Sequence, residues 1–280
     1  MNELTVVISR EIGANRDRRD FENAAAELIA GAGVGVWLVP HLCHLPENDG
    51  LWQKFVSLSG KPAAVFSWIH PRPAKWILAR HGLDISERNV FDMRALDSPV
   101  ECIERFRTTF DLPEKPDPGC PVELMSDVSE RWFPVIDYSR CKGCRQCMQF
   151  CLFGVYEVQS GRVFAANPDN CKNGCPACSR ICPHGAIMFP LCKTDEAIAG
   201  APGLLMKPDP GSKSMYYQRT GKPCPVCGRT FSPALKPKSP DAAICNECGL
   251  ILDTGVKTAD NADSVASDLD SLIDDLENLR

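Results

Sequence analysis

Apolar positions in the first 110 residues follow two alternating rhythms. Leu4–Ser9, Val34–Val39 and Ala63–Ile69 are short, largely uninterrupted apolar runs, with the length and composition of buried strands. Asp17–Ala30 instead spaces Phe21, Ala24, Ala25, Leu28 and Ile29 at helical intervals, and Leu51–Leu58 reads as a short helix. Pro73–His81 has proline at its start and Gly82 just past its end, the asymmetry of a helix. Ser86–Met93 reads as a further strand, and Pro99–Phe110 as a helix capped by Asp97-Ser98. The alternation predicts an α/β domain over residues 1–110, with a mostly parallel sheet covered by helices.

Beyond residue 110 the rhythm breaks. Prolines at 113, 116 and 118 forbid a continuing helix, so 111–132 reads as a Pro-rich linker. The remainder divides into a small domain at 133–192, a linker at 193–221, a compact module at 222–252 and an acidic tail at 253–280. In the tail, Val265, Leu269, Leu272, Ile273, Leu276 and Leu279 form an amphipathic helical stripe among aspartates.

In a parallel sheet, ligands collect beyond the carboxyl ends of the strands. Arg10 follows the first strand, His41 and His44 the second, and His70 and Arg72 the third. These residues form a candidate polar crevice; the alternative is that polar loop residues simply follow strands. No glycine pattern of a dinucleotide fold or phosphate-binding loop occurs at the right place, so neither reading is supported.

Composition changes the picture at the cysteines. The chain has 280 residues, 16 cysteines, 23 prolines and a net charge of −5. A mild negative balance argues against a protein that grips nucleic acid with its whole surface. The longest apolar run, Ile29–Pro40, is shorter than the roughly 20 residues a membrane span needs. The opening Met-Asn-Glu-Leu lacks a basic region and cleavage site, so a cytoplasmic location is expected. Cysteines stay reduced there, which favours metal ligation over disulfides.

Two runs carry this chemistry. Cys141, Cys144, Cys147 and Cys151 are spaced C-x2-C-x2-C-x3-C, while Cys171, Cys175, Cys178 and Cys182 are spaced C-x3-C-x2-C-x3-C and followed by Pro183. Corresponding cysteines lie 30 or 31 residues apart, which marks an internal duplication. Residues 133–190 resemble the bacterial-type ferredoxins with two 4Fe–4S clusters, a small α+β ferredoxin-like fold. The resemblance implies that Cys141, Cys144, Cys147 and Cys182 hold one cluster, and that Cys171, Cys175, Cys178 and Cys151 hold the other. Val135–Tyr138 and Ala186–Phe189 are expected to be strands covering them. The chain departs from the family where Leu152 stands in place of the usual proline, and where one residue is added between Cys171 and Cys175. Zinc ligation, or clusters that only staple the fold, are the alternatives for these eight residues.

Cys224, Cys227, Cys245 and Cys248 form two C-x2-C-G knuckles that resemble a zinc ribbon, implying one structural Zn²⁺; iron in a rubredoxin-like site is the alternative. Cys43, Cys102, Cys120 and Cys192 have no ligand spacing and read as ordinary thiols. The basic residues between 207 and 240 read as a solvated linker rather than a nucleic-acid surface. The expected function is electron transfer to a redox protein partner, with the α/β domain selecting partner or substrate. The alternatives are a redox enzyme that uses the His41, His44 and His70 crevice, and an interaction module with structural metals.

Overall fold

A computed structural model describes residues 4–112 and 117–206, together with the backbone of three short strands further along the chain. Residues 1–216 belong to one compact unit and residues 217–280 to a second.

In the first unit, strand β1 (Thr5–Ser9) is followed by helix α1 (Arg16–Gly31), β2 (Gly35–Val39), α2 (Leu51–Val56), β3 (Ala63–Ser67), α3 (Pro71–Arg80), β4 (Val90–Asp92), α4 (Pro99–Thr109) and β5 (Val122–Glu123). All five strands run parallel in the order β4-β3-β1-β2-β5, with Val7 opposite Trp37 in one register and opposite Val65 in the other. The α/β domain with a parallel sheet expected from the alternating rhythms is therefore present. Alternation along the strands feeds two cores. Val6 and Ile8 join Ala25, Ile29 and Phe106 under α1 and α4, whereas Val7 and Val65 join Phe55, Ile77 and Leu78 under α2 and α3.

Local chemistry sets the ends of these elements. Asn15 caps α1 by accepting from Arg18 N, and Ser98 caps α4 by accepting from Glu101 N. Proline stands at the first turn of α3 and of α4, where a missing N–H costs nothing. The strand expected over Ser86–Met93 is shorter, because Ser86 caps a turn of 3₁₀-helix at Glu87–Asn89 before β4 begins. β5 lies inside the segment read as linker. Its two exposed residues pair with β2 at the sheet edge and are too few to show any period.

The cysteine-rich segment follows with β6 (Val135–Ile136), α5 (Gln146–Phe150), β7 (Glu157–Gln159), β8 (Arg162–Phe164), α6 (Ala177–Ile181), β9 (Ile187–Met188) and α7 (Glu196–Ala199). β6 pairs antiparallel with β9, so the start of the first cysteine run is tied to the end of the second. β7 and β8 make a hairpin across Ser160 and Gly161, both at positive φ, as a tight two-residue turn requires. Val135 and Met188 are part of the core under α2 and α3, so the small sheet is continuous with the α/β interior.

In the second unit, β10 (Ser232–Pro233), β11 (Ala242–Ile244) and β12 (Ile251–Asp253) form an antiparallel sheet. The four knuckle cysteines, the basic stretch and the acidic tail lie outside the described residues.

Candidate metal centre

The two cysteine runs have the same local build. Cys147 is the second residue of α5 and Cys151 the residue just past its end; Cys178 and Cys182 occupy the same places on α6. The two helices pack together. The turn before α5 needs left-handed backbone at Gly143 (φ 68°) and at Arg145 (φ 61°). A Cβ on Gly143 would also crowd Gly161 O at 3.3 Å, so glycine is favoured there on both counts. Arg145 bears a strain of about 1–2 kcal/mol to turn the chain from Cys144 into the helix.

The thiols gather across the runs. Burial pushes the Cys147 thiol well above its usual range, and negative charge on Cys178, Cys144, Cys182 and Cys141 pushes it further. Burial raises Cys178 to about 12, reinforced by Cys171, Cys151 and Cys175 and opposed by a hydrogen bond from Tyr156. Cys171 is likewise raised to about 12 by burial, then by Cys175 and Cys151. Cys182 thus sits in the field of the first run and Cys151 in that of the second. Such thiols keep their protons unless a cationic centre compensates the charge, so this donor set fits iron held by thiolates. Among the described residues, no three His, Cys, Asp or Glu side chains form a group suited to one bound ion.

Polar groups also reach the sulfurs. Tyr156 Oη donates to Cys178 Sγ at 3.0 Å, and Ala186 N donates to Cys182 Sγ at 3.3 Å. Cys147, Cys178 and Cys182 share their core with Ile136, Val155, Ile187 and Phe189, which exclude water. Leu152, at the family's proline position, is 88% exposed and adds nothing to that core. Cys43, Cys102 and Cys192 are buried and Cys120 is exposed, and none is a disulfide partner.

The residues expected to line one crevice each have partners of their own. Arg10 pairs with Glu22 and Glu123. His41 and His44 meet edge to face at 5.4 Å, and His41 Nδ1 accepts from Cys43 N. Burial, then His44, lowers the His41 pKa to about 3. His70 Nε2 lies 2.7 Å from Glu196, and Nδ1 lies 3.3 Å from Asp92. Arg72 turns instead toward the cysteine segment, with Nε donating to Asp137 Oδ2 and a terminal nitrogen to Gly185 O, both at 2.6 Å.

Two important carboxylates gave no signal in the sequence. Glu22, fully buried on α1, accepts from Arg10, Glu11 N, Arg19 and Trp68 Nε1. Asp137 takes Arg72 while its carbonyl accepts from Cys141 N at 2.9 Å, which ties the α/β domain to the first cysteine turn.

Comparison with known proteins finds ferredoxins. The chain is 47% identical over 60 residues to an uncharacterized ferredoxin of Methanocaldococcus jannaschii, covering 21% of this chain and 41% of that relative. A second uncharacterized ferredoxin of that organism is 43% identical over 54 residues, 19% of this chain and 86% of the relative. A ferredoxin of Methanothermococcus thermolithotrophicus is 41% identical over 54 residues, 19% of this chain and 88% of its own length. No protein-family model and no solved structure matches.

Proposed function

The chain belongs to the ferredoxins through its paired cysteine runs, and on that premise we propose that it is an electron carrier holding two 4Fe–4S clusters beside an α/β domain that selects its redox partner. Cys141, Cys144, Cys147 and Cys182 would hold one cluster, and Cys171, Cys175, Cys178 and Cys151 the other. The observation that supports this reading is the gathering of thiols from both runs around α5 and α6: Cys178, Cys144, Cys182 and Cys141 act on Cys147, and Cys171, Cys151 and Cys175 act on Cys178. When bound, such clusters take up and release single electrons.

The protein's own part is to hold, shield and bias that chemistry. α5 and α6 bring the two sets of thiols side by side, and the apolar residues around Phe189 keep water away. Tyr156 Oη and Ala186 N supply hydrogen bonds to sulfur, which favour the more negative state. Arg72 fixes the first turn to α3 through Asp137. Cys224, Cys227, Cys245 and Cys248 would hold one structural Zn²⁺, closed by four thiolates and so without an open position for catalysis.

Anaerobic purification followed by metal and sulfide counts tests the reading. About eight irons, eight acid-labile sulfides and one zinc per chain are expected, with both clusters reversibly reduced. Colourless protein without labile sulfide would overturn it.

A further inference from the structure

A cavity of about 370 Å³ opens where α3 meets the start of the cysteine segment. Its size lies within the range of small-molecule sites, which favour junctions of this kind. Aromatic side chains share the walls with Ile77, Val135 and Ile136. Trp76 and Tyr138 meet edge to face at 5.6 Å, and Phe133 and Phe164 also face the space. The aromatic faces among them can stack on a planar ring system.

The charge in the lining is arginine-rich. Arg80 donates to Glu47 at 2.6 Å and to Ala165 O at 2.7 Å, so it is fixed. Glu47 is also shared with Arg131 at 3.3 Å, which spends its negative charge on two arginines. Arg162 differs: it is exposed, its guanidinium lies 4.1 Å from the Tyr138 ring centroid, and it has no carboxylate partner among the described residues. A planar fork of donors placed over an aromatic face is suited to an oxyanion attached to a stacked ring. Its exposure lets that anionic group remain partly hydrated while the ring enters the cavity.

We propose that this cavity binds a phosphorylated planar heteroaromatic compound, such as a nucleotide or flavin nucleotide, with the ring among Trp76, Tyr138 and Phe164 and the phosphate on Arg162. The site borders the first cysteine run. Tyr138 precedes Cys141 by three residues. The cavity is built by α3, β6, β8 and the turn at Tyr138, so the inference stands apart from the identity of the metal centres.

The test is calorimetric titration of the full chain, prepared without oxygen, with FMN and AMP. Riboflavin, adenosine and inorganic phosphate serve as probes of the separate parts. At least one phosphorylated ring should saturate a single site below about 1 mM, at least about tenfold more tightly than its unphosphorylated partner. Arg162→Gln should abolish that preference, and Trp76→Leu should weaken both members of the pair, with iron and sulfide content unchanged. The exposed Arg162 variant decides alone if Trp76→Leu does not fold. The proposal fails if neither FMN nor AMP saturates by that concentration. It also fails if both variants bind as the parent does, or if inorganic phosphate binds as tightly as the phosphorylated rings.

Discussion

Tyr156 Oη donates to Cys178 Sγ at 3.0 Å, across 22 residues of sequence and in a fully buried setting. A hydrogen bond to a thiolate ligand favours the more reduced, more negative state of whatever that thiolate holds. Tyr156→Phe keeps the ring and removes the donor. If the bond strengthens by about 1 kcal/mol on reduction, the variant's potential falls by roughly 40 mV for one electron. A redox titration followed by electron paramagnetic resonance should show one cluster shifted to lower potential and the other in place. An unshifted pair, or a shift upward, would remove Tyr156 from the control of potential.

The proposed exchange of fourth cysteines has a direct consequence. Cys182→Ser should damage the cluster assigned to Cys141, Cys144 and Cys147, not the one nearest in sequence, leaving about four irons. The spectrum of the reduced variant identifies which centre survives. Survival of the first run's cluster with loss of the second would reject the crossed assignment.

Arg72 and Asp137 are 9% and 3% exposed, so their ion pair is almost wholly desolvated. Removing the arginine leaves the carboxylate with Ser139 and the more exposed Arg140 at 3.6 Å, so the loss should fall below the roughly 3–5 kcal/mol of a wholly unpaired buried charge. Arg72→Met should lower the denaturant midpoint accordingly. Arg72→Met combined with Asp137→Asn should lose less than the sum of the two single changes, because the buried charge is gone. Additive losses would show that the two side chains do not act as a pair.

What could be read in advance follows from the range of each signal. The cysteine runs declare themselves because ligand geometry is encoded in local spacing, and the strands and helices of the α/β domain because their periods repeat within a few residues. Arg72 misleads: its position after β3 suggests a crevice, whereas its partners lie 65 and 113 residues away. Glu22 is a charged residue within the helical pattern of α1, yet it is buried and collects four donors from three parts of the chain. Such pairings exist only once the fold is made. β5 escapes for a different reason, since two exposed residues at a sheet edge obey no hydrophobic rule.

His41 makes the α/β domain sensitive to acid. Its ring is 6% exposed, Nδ1 is occupied as an acceptor from Cys43 N, and burial holds its pKa near 3, against 6.5 for the free side chain. The folded chain therefore keeps His41 neutral at a pH where the unfolded chain protonates it. Stability is unaffected above about pH 6.5, declines as pH falls below it, and levels off near pH 3, where the folded form also takes the proton. At pH 5 the loss from this residue is about 2 kcal/mol. His44, whose pKa is also lowered chiefly by burial, adds in the same direction. Asparagine at position 41 can accept from Cys43 N without titrating, so His41→Asn should lose less stability than the parent between pH 7 and pH 5. Iron content followed over the same range separates this effect from acid release of the clusters. Equal losses in parent and variant, with iron retained, would show that His41 does not set the acid limit.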